Sequence, residues 1–251
     1  MQEDRLRFGV HTACLVCPLR ANPNFRDFTP EELEFVRNFR SGELHAGAGT
    51  AIFNEGSQSS HLYTTLTGWG FRYKTLPDGR RQILNYILPG DMIGLQGALF
   101  EEMNHSVEAL TDMRLCVFER KPLFSLFEKH PGLGYDLTWI ASREECILDE
   151  HLLSVGQRSA LERAAYLLAF LHHRALASAT LSTDTRSIPI TQAHVADTLG
   201  LSIVHTNKTL RKLAVSGTLR WLDRGCEVLD APALQRIAKW TPGKATARPF
   251  L

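Results

Sequence analysis

"ITQAHVADTLGLSIVHTNKTLRKLA", residues 190–214, is the stretch on which the fold turns. Thr191 stands where a helix N-cap belongs, and its helix must end before Gly200. A helix commonly stops at a residue with positive φ, which glycine adopts without strain. Ser202 can then cap a second helix beginning at Ile203. Two short helices joined by a tight glycine turn predict a helix-turn-helix. At about 100° per residue, Thr206, Leu210 and Leu213 share one side of the second helix, with Ile203 near its edge. Val204, Lys208 and Arg211 point almost opposite, flanked by His205, Asn207 and Lys212. An exposed valine among cations is odd on a solvated face. It fits a major groove, where valine meets a thymine methyl while Asn, Lys and Arg read base edges or phosphates. The candidate DNA contacts are Thr191, Gln192, Ser202, Val204, His205, Asn207, Lys208, Arg211 and Lys212. The competing reading is a solvated basic face with a chance valine.

Beyond this helix, "GTLRWLDRGCEVLD" predicts two short strands, 218–222 and 226–229, around a turn at Arg224-Gly225. That is a wing beside the helix-turn-helix. The net charge of +1 hides an asymmetry. Residues 186–251 carry 10 Lys and Arg against 4 Asp and Glu, while the remainder carries 18 against 23. A basic end on an acidic body points to a polyanion for that end only.

Towards the N-terminus, "GLGYDLTWIASREECILDEHLLSV" spaces Leu133, Leu137, Ile140, Ile147 and Leu148 at helical intervals. The stripe suits a partner helix, with Leu137, Ile140 and Ile147 as the expected dimer seam. Residues 43–120 differ, with glycines punctuating short alternating runs such as "HLYTTLTGW" and "RQILNYIL" and "PDG" marking a hairpin turn. Closely spaced strands predict a roll, barrel or sandwich. Before them, Thr29, Pro30 and Glu32 form a capping box opening a short helix. The apolar share of 44% is ordinary for a globular chain. Five cysteines, an odd and sparse count, argue against a secreted disulfide framework and for a reducing cytoplasm. No leader-like or membrane-spanning apolar run is evident.

The order of parts resembles the Crp/Fnr family of bacterial transcription regulators. A glycine-rich roll carries "PGDMIGLQGALF", a long helix follows, and a winged helix with "TQAHVADTLGLSIVHTNKTLRKL" closes the chain. The resemblance covers roughly residues 25–230. It implies an α+β fold with a β-roll of the cyclic-nucleotide-binding type, a dimerisation helix and a winged helix-turn-helix. It also implies a homodimer on near-palindromic double-stranded DNA, RNA polymerase as partner, and no enzymatic activity. The corresponding divisions are an arm (1–24), the roll (25–131), the dimerisation helix (132–156), the DNA-binding domain (157–235) and a tail (236–251). In cyclic-AMP-binding members a Glu and an Arg-Ser pair hold the nucleotide. Here those positions read Leu95 and His105-Ser106. Without the carboxylate and the guanidinium, the charge-assisted bonds to ribose and phosphate are lost. The usual Glu, Ser and Arg of Fnr-type recognition helices fall on Val204, Asn207 and Lys208, which implies a different half-site.

Fnr-type members hold an iron–sulfur cluster on an N-terminal cysteine group plus one cysteine late in the roll. "HTACLVC" supplies Cys14 and Cys17, and "HSVEALTDMRLCVFE" places Cys116 at the late position. The next family cysteine would fall at Pro23, leaving three thiols with His11 as a candidate fourth ligand. Three readings stay open at this point: an iron–sulfur cluster, zinc, or a dithiol without metal. A signalling module that never meets DNA, and a zinc hydrolase built on His11, Cys14 and Cys17, are the weaker alternatives. Cys146, Cys226, His61 and His105 carry no evident chemistry.

Overall fold

The computed structural model describes residues 6–9, 13–181, 187–223, 225–243 and 247–251. The chain forms two compact units. One comprises Met1–Arg72, Ile87–Glu145 and Ala245–Leu251, and the other Tyr73–Tyr86 and Cys146–Lys244. No helix among the described residues is long and apolar enough to cross a membrane.

In the first unit, helix α1 (Pro30–Phe39) starts on the predicted capping box. Glu32 N donates to Thr29 Oγ1 at 3.2 Å, and Thr29 N donates to Glu32 Oε2 at 2.9 Å. One sheet runs β1 (Leu6–Gly9), β2 (Arg40–Ala46), β9 (Met113–Glu119), β4 (His61–Thr67), β7 (Met92–Ile93), antiparallel throughout. A second sheet runs β3 (Ala51–Phe53), β8 (Ser106–Ala109), β5 (Gly70–Thr75), β6 (Arg81–Ile87), with residues 73–86 of its last two strands grouped with the second unit. Successive strand residues face opposite ways. Leu115 and Val117 therefore join Leu44, Phe53, Tyr63, Met103 and Val107 in a core drawn from both sheets. Cys116 and Phe118 face the other way. There they meet Val36 and Phe39 of α1, Leu123 and Leu126 of α3 (Leu123–Lys129), and Leu133 and Leu137 of α4 (Pro131–Gln157). Between β7 and β8 lies α2 (Leu95–Phe100).

Leu137, Ile140 and Ile147, the expected dimer seam, are 2%, 6% and 8% exposed in the single chain, and Leu137 lies in the cluster of Phe118 and Leu126. The outward stripe of α4 is Tyr135, Thr138, Ser142, Asp149, Leu152 and Leu153. Within the stretch expected to be a tail, residues 236–251, α8 (Ala231–Ala238) reaches residue 238, and Phe250 and Leu251 are buried in the first unit's core.

In the second unit, α5 (Ala160–Ala177) is capped by Ser159 and Glu162. It packs with α6 (Gln192–Leu199), α7 (Ile203–Val215) and α8. The wing is a three-stranded sheet ordered β10 (Ser187–Ile188), β12 (Gly225–Val228), β11 (Leu219–Leu222). The hairpin of residues 73–86 belongs to this unit. Arg174 of α5, 3% exposed, donates Nη1 to Tyr86 O at 2.8 Å. Tyr86 Oη lies 2.9 Å from Thr198 Oγ1, Gln82 Nε2 donates to Thr198 O at 2.8 Å, and Arg81 pairs with Asp197 at 2.7 Å. The hairpin is thus bound to α6 by polar contacts rather than by apolar area alone.

A hydrogen bond from a charged donor contributes about 1.5–3 kcal/mol, and losing it orphans a buried acceptor. Arg174→Leu is therefore expected to cost about 2 kcal/mol, seen as a lower urea midpoint, with Arg174→Lys falling between.

Candidate nucleic-acid interface and cysteine pocket

The helix-turn-helix is assembled from local chemistry. At the start of α6, His194 N donates to Thr191 Oγ1 at 3.2 Å, and Thr191 N donates back to His194 Nδ1 at 3.1 Å. Gly200 ends α6 at φ +65°. Ser202 Oγ accepts from His205 N at 3.3 Å and starts α7. On α7, Thr206, Leu210 and Leu213 are buried as the angular arithmetic expects, joined by Thr209. Thr209 escaped the sequence reading because its hydroxyl is satisfied within the helix, donating to His205 O at 2.9 Å.

Val204 is 61% exposed. His205, Asn207, Lys208, Arg211 and Lys212 are exposed with it, so one open face carries every outward residue predicted on α7. Thr191 and Ser202 are exposed but engaged as caps, and Gln192 is half-buried at the first turn of α6. This face offers one apolar contact, one amide and three cations in a row. Such a set suits a groove whose edges hold methyls and acceptors between two phosphate ridges.

Cys14 and Val16 bound a 3-10 turn, with Cys17 directly after it. Cys14, Cys17 and Cys116 line one cavity of about 30 Å³, together with Leu19, Arg20, Arg40, Glu43, Phe118, Phe250 and Leu251. Burial pushes the Cys116 thiol well up from its ordinary pKa. Burial also raises Cys17, against the opposing pull of backbone N–H groups at Leu19 and Arg20 and of the Arg20 guanidinium. His11 lies outside the described residues. All five cysteines are free. Cys226 is buried in the wing, and Cys146 is exposed on α4.

The cavity between the three thiols has room for about one water molecule. Among the described residues, no three His, Cys, Asp or Glu side chains are grouped to hold a metal ion.

Comparison with known proteins matches residues 43–130 to the "Cyclic nucleotide-binding domain" family and residues 162–237 to the "Crp-like helix-turn-helix domain" family. The chain is 32% identical to the nitrogen fixation regulation protein FixK of Bradyrhizobium diazoefficiens, over 90% of this chain and 93% of that one. It is 32% identical to the transcriptional activatory protein AadR of Rhodopseudomonas palustris, over 92% and 94%. Among solved structures, FixK2 from Bradyrhizobium japonicum superposes with a TM-score of 0.70 at 24% identity, covering 82% of this chain and 99% of that one. That last likeness speaks for the fold alone.

The histidine in the α6 capping box has a pH consequence. Burial lowers the His194 pKa, Arg81 adds to the effect, and Asp197 opposes it. The unfolded chain therefore takes up a proton first. The stability due to neutral His194 is full above about pH 6.5 and is lost as pH falls from there towards the lower folded value. Melting temperatures at pH 7.5 and 5.5 should fall further for the wild type than for His194→Gln, which keeps an acceptor at this position without titrating.

Proposed function

Because this chain belongs to the Crp/Fnr family of transcription regulators, and so binds DNA through its helix-turn-helix, we propose that its DNA affinity follows the oxidation state of Cys14, Cys17 and Cys116. The observation that carries this reading is the gathering of three of the five cysteines around one small cavity behind β9. Two thiols and one molecule of hydrogen peroxide give one disulfide and two waters, so the pocket needs no bound cofactor to change state. Cys14 and Cys17 are half-buried and Cys116 is buried, so oxidant reaches the turn before it reaches the strand. Thiol chemistry is preferred to the expected cluster because the cavity is only about 30 Å³ and, among the described residues, no three His, Cys, Asp or Glu side chains are grouped to hold a metal ion.

On the DNA side, the protein acts as a homodimer on two half-sites, cytoplasmic and with RNA polymerase as its partner at the promoter. The outward stripe of α4 supplies the seam, with exposed Tyr135, Leu152 and Leu153 as its apolar positions. Val204 meets a thymine methyl and Asn207 pairs with adenine. Lys208 and Arg211 take guanine or phosphate. Thr191, Gln192 and Ser202 stand at the amino ends of their helices, where backbone N–H groups favour phosphate.

Lys208→Ala should weaken binding and, if it neutralises a phosphate, flatten the salt dependence by about one unit of slope. Val204→Glu should move base preference towards cytosine in a random-sequence selection. An unchanged selected site would mean that this face does not read bases.

The redox reading is tested by gel shift on reduced and peroxide-treated protein. The wild type should lose or gain at least about five-fold in affinity, equivalent to about 1 kcal/mol, and Cys116→Ser should not respond. Iron, sulfide and zinc measured after anaerobic purification should be far below one per chain. A stoichiometric iron–sulfur content would sink the thiol reading in favour of a cluster.

A further inference from the structure

The last described residues return to the roll. Arg248 N donates to Asn24 O at 2.9 Å and Arg26 N donates to Arg248 O at 2.9 Å, making a parallel bridge around Phe25. The buried Arg248 guanidinium donates Nη2 to Asp91 Oδ1 at 2.7 Å and to Gly90 O at 3.0 Å. It also lies 5.3 Å from the centre of the Phe25 ring. Asp91 is buried too, and its other oxygen accepts from Leu88 N at 2.8 Å. Phe250 meets Phe25 edge-on at 5.6 Å and Phe28 at 4.8 Å between ring centres. Phe250 and Leu251 then form part of the wall around Cys14, Cys17 and Cys116.

Main-chain pairing, one buried charge pair and apolar anchors are the elements of peptide recognition. We propose that the face of the roll formed by Phe25, Phe28, Gly90 and Asp91 is a binding site for an Arg-Pro-Phe-Leu segment, that the chain's own Arg248–Leu251 is its resident ligand, and that this ligand seals the cysteine pocket. The segment follows the last helix of the DNA-binding unit in sequence. Its coupling to cysteine oxidation, unlike the binding site itself, rests on the thiol reading given above. Oxidation sets a polar oxygen or a new S–S bond beside Phe250 and Leu251, and an apolar wall cannot satisfy a polar oxygen. The oxidised pocket therefore favours the released segment, which is the differential that a switch requires.

The test is alkylation of the intact chain by iodoacetamide, resolved by cysteine with mass spectrometry. Arg248→Ala and Phe250→Ser should each speed labelling of Cys116 by about ten-fold, reporting local opening, with Arg248→Lys between them and the wild type. Cys226, buried in the wing, should label at the wild-type rate in all of them. Unchanged labelling of Cys116 in both variants overturns the proposal, and so does a joint rise at Cys116 and Cys226, which would report loss of the fold. Hydrogen exchange supplies the second arm: residues 247–251 should lose protection on peroxide treatment of the wild type and keep it in Cys116→Ser. Should wild-type DNA affinity ignore peroxide while the strap variants expose Cys116, the sensing reading falls and the binding site stands. Should affinity follow peroxide while Cys116 labelling ignores the variants, the binding site falls and the sensing reading stands.

Discussion

The first unit depends on strand β9 being buried on both faces. Its neighbours β2 and β4 take up the backbone on either side, and its side chains must then satisfy two different cores. Leu115 and Val117 serve the core between the sheets, while Cys116 and Phe118 serve the helix-covered side. Each fully buried side chain of this size contributes about 1.5–3 kcal/mol. A slip of one residue would exchange the two sets. Cys116 is held by this alternation, and its burial among Leu, Val and Phe raises its thiol pKa.

The second unit is organised by polar geometry around α6. Its amino end depends on a neutral imidazole, its carboxyl end on Gly200, and its flank on the hairpin residues Arg81, Gln82 and Tyr86. None of these contacts touches the outward face of α7. The exposed side chains of Val204 and Asn207 take no part in these contacts. Arg174 ties α5 to the same hairpin from within.

The helix-turn-helix was legible because its determinants are local: caps at Thr191 and Ser202, a glycine at the left-handed position, and a 3.6-residue period on α7. The capping box of α1 was legible for the same reason. The stripe of Leu137, Ile140 and Ile147 was visible in the sequence but its partner was not, since an apolar face looks the same whatever it packs against. The approach of the cysteines was foreshadowed by the spacing of Cys14 and Cys17 and by the placement of Cys116. The chemistry they can support was not, because Phe250 and Leu251 help set the volume between them. Arg248 shows why such a segment stays hidden: it has no period of its own, and its carboxylate partner is 157 residues away.

Gly90 has φ +87°, and a Cβ there would stand 2.2 Å from the Phe25 ring. Glycine is thus the admission condition for the aromatic shelf under Arg248. Any side chain at position 90 would have to displace the Phe25 ring, and with it the surface on which the Arg248 guanidinium lies.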